Sequence, residues 1–321
     1  AFDWSPDGKK LAFIRFDETD VPEFNMQTWG ELYPQDYKFK YPKAGEKNAE
    51  VSIHVYDIAS QKTVNVDSGE EKDIYLPRIY WTSNSNTLAY LRLNRLQNQL
   101  DLFYANTATG ESQLVLQEKS DTYVDLNYND NLYFLNDNKG FIRTSEQDGF
   151  KHIYHHEESG KLVRQITSGK WEVSSLVGVD EKGKKIYFIS TEASPLERNL
   201  YVINMDGKGK KILTAEKGTH SVNMSKDFKY FIGYHSNANS PSKVTLNQAS
   251  GKQLQVLENN QELRDRLKNF AISEKEFFDF QTVEGTSLNA YMIKPSDFDP
   301  SKKYPVLMYV CRCIYSLYTY R

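Results

Sequence analysis

The chain has 321 residues, 40 basic and 43 acidic, with a formal net charge of −3, so no global field exists to draw in nucleic acid or an anionic membrane. Tyr (22) and Phe (17) are abundant, which argues for a packed, strand-rich fold over a disordered chain. No apolar run reaches the roughly 18 residues of a membrane-spanning helix, and the two cysteines, Cys311 and Cys313, both fall in the last eleven residues, which excludes a disulfide framework.

The start, Ala1-Phe2-Asp3-Trp4-Ser5, has neither initiator Met nor leader character, so the chain is expected to begin inside a longer protein. Trp4-Ser5-Pro6-Asp7-Gly8-Lys9-Lys10-Leu11-Ala12-Phe13 predicts a strand, a turn and an outward strand. Trp81-Thr82-Ser83-Asn84-Ser85-Asn86-Thr87-Leu88-Ala89-Tyr90 repeats it, and residues 180–188 and 224–231 are further versions. The strands that follow carry Tyr56, Tyr104, Tyr154 and Tyr201, separated by 48, 50 and 47 residues, and Thr245 comes 44 later. Such a period with about four short strands is the mark of a propeller, because one twisted sheet cannot bury both faces until neighbours stack on it. The expected fold class is therefore all-β, a partial propeller of about five four-stranded antiparallel blades over residues 1–257.

Residues 21–48 interrupt the first repeat and carry Phe24, Trp29, Tyr33, Tyr37, Phe39 and Tyr41. So aromatic a segment outside the repeat implies a surface that another body covers; an arm folded back on its own blade is the competing reading. After the blades, residues 261–268 predict a helix with Leu263 and Leu267 on one face, and residues 277–295 a hairpin turning at Glu284-Gly285. The apolar run at 302–310 then reads as a strand buried on both faces, the start of a second, α/β domain spanning 258–310.

Other candidates carry bland readings. His152, His155 and His156 alternate along one strand and do not converge, so they read as packing residues with solvent-facing tips and no metal. Cys311 and Cys313 lack further ligand partners. The pairs Glu70-Glu71 and Glu157-Glu158 sit in polar turns, where adjacent carboxylates are solvated, whereas acid–base catalysis needs a dry cleft. Ser5 is a turn hydroxyl, and the lysines of Asp7-Gly8-Lys9-Lys10 and Gly207-Lys208-Gly209-Lys210-Lys211 are solvated loop charges.

Several stretches carry a resemblance. Asp3-Trp4-Ser5-Pro6-Asp7-Gly8, Asp17-Glu18-Thr19-Asp20-Val21-Pro22-Glu23, Tyr41-Pro42-Lys43-Ala44-Gly45-Glu46-Lys47-Asn48 and Ser145-Glu146-Gln147-Asp148-Gly149-Phe150-Lys151-His152-Ile153-Tyr154 are four of them. With Gly169-Lys170-Trp171-Glu172-Val173 and Ser301-Lys302-Lys303-Tyr304-Pro305-Val306-Leu307, they make nearly the whole chain resemble the dipeptidyl peptidase IV family of the prolyl oligopeptidase clan.

The resemblance implies a propeller capping an α/β-hydrolase domain, and serine-type removal of Xaa-Pro or Xaa-Ala dipeptides from peptide N-termini. It implies no cofactor, peptide substrates as partners, and a homodimer built through the arm at 21–48. A Glu-Glu pair that grips the substrate ammonium should lie before Ala1. The oxyanion tyrosine of the family's Tyr-Gly-Gly-Pro-Gly is replaced by Cys311, and the loss of pattern over 311–321 reads as a frame change or a chain end.

The nucleophile motif Gly-x-Ser-x-Gly and its Asp and His partners should lie past Arg321, so no catalytic residue is expected here and the chain alone should be inactive. Tyr123, Asp125 and Asn127 fall where related enzymes place residues near the substrate's N-terminal pocket. Cysteine usage suits a bacterial periplasmic or secreted protein. A stand-alone propeller acting as a binding scaffold is the alternative.

Overall fold

The first turn forms because Ser5 closes it. In the computed structural model, which describes residues 1–126, 131–136 and 139–310, the buried Ser5 hydroxyl donates to Asp7 at 2.7 Å and accepts the amides of Lys9 and Lys10. A short side chain that bonds its own backbone a few residues on fixes a turn that would otherwise be one conformer among many. The same device recurs at Thr82, which accepts the amide of Asn84, and at Ser225, which donates to Asp227 and accepts the amide of Tyr230. In the last case Phe228, not glycine, takes the left-handed conformation at φ 53°. Its ring stacks on Tyr187 at 5.6 Å, which offsets a strain of about 1 kcal/mol.

These turns organise five four-stranded antiparallel sheets in two compact units, residues 1–167 and 168–321. In the first unit, sheet one is β1 (Phe2–Trp4), β2 (Lys10–Asp17), β5 (Glu50–Asp57) and β6 (Lys62–Val66), interrupted by a separate hairpin of β3 (Glu23–Thr28) and β4 (Gln35–Lys40). Sheet two is β7 (Ile74–Trp81), β8 (Thr87–Asn94), β9 (Gln99–Asn106) and β10 (Ser112–Lys119). Sheet three is β11 (Leu132–Phe134), β12 (Phe141–Ser145), β13 (His152–His156) and β14 (Leu162–Gln165).

The second unit holds sheet four, β15 (Val173–Asp180), β16 (Lys185–Ser190), β17 (Asn199–Asn204) and β18 (Lys211–Ile212), and sheet five, β19 (Thr219–Met224), β20 (Tyr230–Asn237), β21 (Ser240–Gln248) and β22 (Gln253–Glu258). Helix α1 (Gln261–Leu267) follows, then the hairpin of β23 (Lys275–Gln281) and β24 (Ser287–Ile293). Each sheet is a meander in sequence order, the blade pattern of a β-propeller.

Strand β8 shows why blades stack. Leu88 and Tyr90 enter a core with Ile53 and Val55 of sheet one, whereas Ala89, Leu91 and Leu93 enter another with Phe141 of sheet three. Alternate residues face opposite sides of a strand, so an unbroken apolar run means two dry faces. A stacked aromatic pair also bridges strands two and three of each of the first four sheets: Phe13–His54, Tyr90–Phe103, Phe141–His156 and Phe188–Tyr201, all with ring centroids 5.1–5.6 Å apart. Contact between neighbours is close enough to demand glycine: at Gly160 (φ 85°), in the β13–β14 turn, a Cβ would lie 1.9 Å from the Val115 carbonyl oxygen of sheet two.

Two expectations change, and the arm gains a defined form. Residues 304–310 form no strand, and Val306, Leu307 and Met308 stand exposed; a strand of this kind is held by neighbours on both sides, and none pairs with it among the described residues. The segment at 21–48 is a regular hairpin at its centre, because Phe24 and Met26 alternate with polar residues and pair with Phe39 and Tyr37. The tips of His152 and His156 are buried, not solvent-facing.

Candidate functional site

After β10 the chain turns onto the β8–β9 connection. Ser120 and Val124 donate their amides to the carbonyls of Asn98 and Gln97 at 3.0 and 2.9 Å, and the Ser120 hydroxyl accepts the amides of Thr122 and Tyr123. Val124 is buried in the core between sheets two and three, which leaves Tyr123 projecting into solvent and Asp125 half-buried. The structure thus places two of the three sequence-predicted pocket residues on one anchored loop. Asn127 and Cys311 lie outside the described residues.

On β10, just before that loop, Glu118 forms a buried ion pair that sequence reasoning missed. Arg143 of β12 meets Glu118 of β10, joining sheets three and two, and the Ser145 hydroxyl donates to the same Glu118 carboxylate at 2.9 Å. The Arg143 Nε also donates to the Thr144 carbonyl at 3.3 Å. Burial pulls the guanidinium pKa down to about 10, so it stays charged at neutral pH. The available signal was Arg143 itself, a charge inside the buried run Phe141-Ile142-Arg143-Thr144-Ser145, since such a charge folds only when paired. Around it, burial pushes the Tyr104 and Tyr154 hydroxyls upward, so both stay neutral.

The arm residues divide into two groups. Phe24, Tyr37, Phe39 and Tyr41 pack together with ring centroids 5.4–5.9 Å apart, and Lys43 Nζ lies 5.4 Å from the Phe24 centroid. Trp29 and Tyr33, near the tip, are 74% and 75% exposed, and Leu32 between them is 89% exposed. Lys40 Nζ donates to the Val21 carbonyl at 2.9 Å, Tyr41 N–H to the Pro22 carbonyl at 3.0 Å, and Asn48 to the Tyr75 hydroxyl at 3.2 Å. The root is tied down and the apolar tip is in water, so the tip residues are not folded back onto their own blade.

The histidines of β13 have separate roles. His152 shares a 3.1 Å hydrogen bond with the Thr167 hydroxyl, whereas His156 donates from Nδ1 to the Gly160 carbonyl and stacks on Phe141. His155 pairs with Arg164 in register on the next strand, and burial holds its pKa below the ordinary value. Glu70, Glu71, Glu157 and Glu158 are exposed. Ser5 spends its hydroxyl on the turn already described.

The dipeptidyl peptidase IV (DPP IV) N-terminal region matches residues 1–242. Dipeptidyl peptidase 4 of Trichophyton rubrum is 30% identical over 95% of this chain and 41% of its own length. That of Arthroderma otae is 29% identical with the same coverage. The crystal structure of Porphyromonas gingivalis dipeptidyl peptidase 4 is similar with a TM-score of 0.88 and 41% identity, covering 95% of this chain and 43% of that one. The chain spans about two fifths of the length of the curated relatives it matches. The match takes in the first four blades and the start of the fifth, and the chain belongs to the dipeptidyl peptidase IV family.

Proposed function

We propose that this chain is the propeller part of a serine-type dipeptidyl aminopeptidase, exported to the bacterial periplasm or secreted, that removes Xaa-Pro and Xaa-Ala dipeptides from peptide N-termini. The propeller admits and anchors the peptide, and bond cleavage belongs to protein outside these 321 residues. The observation that supports the reading is the family match over residues 1–242, in a chain whose relatives named dipeptidyl peptidase 4 are more than twice its length. No Gly-x-Ser-x-Gly occurs in the sequence, so the nucleophile is assigned elsewhere.

Within this reading the loop carrying Tyr123 and Asp125 borders the peptide's N-terminal pocket. A ring face and a carboxylate suit the leading residues of a peptide, whose α-ammonium forms charge-assisted hydrogen bonds with carboxylates. Rigid anchoring matters because a peptidase that counts two residues from the N-terminus needs a fixed stop. The loop's bonds to Gln97 and Asn98, and the Glu118–Arg143 pair that fixes the strand leading into it, supply that rigidity. The arm, with Trp29, Leu32 and Tyr33 exposed, serves a homodimer, since an apolar tip in water gains by association.

The test has two parts. The isolated 321-residue chain should release no chromophore from a Gly-Pro chromogenic substrate, and the gene read downstream should encode Gly-x-Ser-x-Gly followed by Asp and His. Turnover by the isolated chain, or a stop codon directly after Arg321, overturns the reading.

A further inference from the structure

We propose that His220 and His235 form a proton-operated latch, which holds residues 215–218 against sheet five at neutral pH and releases them on acidification. The two histidines are register partners on β19 and β20, 7% and 9% exposed, with ring centroids 4.5 Å apart. His220 Nε2 lies 2.7 Å from the Glu216 carbonyl oxygen and His235 Nε2 lies 3.0 Å from that of Lys217. A carbonyl only accepts, so each ring must carry its proton on Nε2, and in the neutral ring Nδ1 is left as a bare lone pair. Two buried imidazoles thus pin two consecutive carbonyls of an otherwise exposed segment, Ala215-Glu216-Lys217.

Protonation changes this arrangement unequally. The Nδ1 of His235 faces the Glu216 carboxylate at 3.6 Å. A proton taken up by His220 would place a cation inside the sheet, one ring from His235. Among the described residues the carboxylate in reach, Glu216, is already shared with Lys243 of β21 at 3.9 Å. The other charged groups on the elements that meet β19 here are Lys217 on the loop and Arg198, whose backbone accepts the His220 amide and whose side chain faces Glu172.

Burial and the neighbouring imidazole accordingly hold the His220 pKa below its ordinary value. The sign follows from linkage: a histidine kept neutral by the fold takes its proton more readily when released. Its contribution is therefore present above the unfolded value of about 6.5 and is lost as pH falls below it. Opening four residues wets both rings without unfolding the sheet, so the loop is the part that yields.

The test is amide hydrogen exchange on the 321-residue chain at about pH 7.5 and about pH 5, corrected for intrinsic exchange. Protection over residues 216–222 should fall several-fold between the two values, with residues 87–106 of sheet two unchanged. His220→Gln keeps a side-chain N–H for the Glu216 carbonyl but cannot titrate, so it should stay protected at both values, as should the His220→Gln/His235→Gln double variant. Equal protection of the wild-type chain at both values overturns the proposal, as does the same fall in the double variant. Should the variants not fold, ring-proton NMR titration of the wild-type chain decides. Two separated midpoints, the lower one accompanied by loss of the Gly218 amide signal, support the latch; two identical, independent midpoints sink it.

Discussion

Sheets two and five share a topology and differ in what fills it. In sheet two, β8 feeds two cores and Tyr90 lies flat on Phe103 at 5.2 Å with a 6° interplanar angle. In sheet five, the equivalent strands place Gly233 opposite Thr245, the Asn247 amide bonds the Thr245 hydroxyl at 2.8 Å, and every residue of β22 is exposed. The ring pair of sheet five sits instead between its first two strands, as His220 and His235. The series runs from aromatic on aromatic in sheets two and four, through aromatic on imidazole in sheets one and three, to imidazole on imidazole in sheet five. Ring pairs thus recur in every sheet, but in sheet five they have left the position that the first four sheets share and moved to the first pair of strands.

The largest effect should come from emptying that shared position. Tyr90→Ala removes a fully buried ring from between sheets one and two and should destabilise by about 3–5 kcal/mol. Thr245→Ala in sheet five deletes one part-buried hydroxyl and should cost about 1 kcal/mol. Urea unfolding followed by far-UV circular dichroism measures both. Equal losses would break the comparison, because they would mean that sheet five is packed as tightly as sheet two.

A smaller effect tests the contact between neighbours. Gly160→Ala forces a Cβ to within 1.9 Å of the Val115 oxygen at φ 85°, whereas Gly251→Ala, the counterpart between sheets five and four, meets the Leu213 oxygen at 2.8 Å and φ 90°. Both carry backbone strain of about 1–3 kcal/mol and both would press on a backbone oxygen of the neighbouring sheet, but the approach at Gly160 is closer by 0.9 Å (1.9 against 2.8 Å). The midpoint of thermal unfolding should therefore fall further for Gly160→Ala. A reversed order would mean that contact in the second unit is the less forgiving.

Local signals made most of this fold legible from the sequence. Ser5, Thr82 and Ser225 announce turns because their side chains bond their own backbones, and the hairpin at 277–295 and the helix at 261–268 follow from pattern alone. What was hidden depends on register between distant residues. Arg143 was visible as a charge in an apolar strand, but its partner Glu118, 25 residues earlier, is chosen by how sheet two lies on sheet three. His220 and His235 become neighbours only because a tight turn pairs them. The run at 302–310 misled because apolarity states a need for neighbours without supplying them. Tyr123 and Asp125 share an anchored loop whose bonds come from the backbone of Gln97 and Asn98, which side-chain identity does not reveal.

The arm carries side chains like those of β8 but in water, and so should give the smallest effect on stability. Trp29→Ser with Tyr33→Ser removes exposed rings near the tip, beyond the bonds that tie the root through Lys40, Tyr41 and Asn48. No core is opened, so unfolding free energy should move by less than about 0.5 kcal/mol. Sedimentation equilibrium should instead shift toward monomer, because burying two rings and Leu32 against a second copy is the gain that association offers. If stability fell as it does for Tyr90→Ala, the tip would be a core element of its own unit; if association were unchanged, the homodimer would have to use another surface.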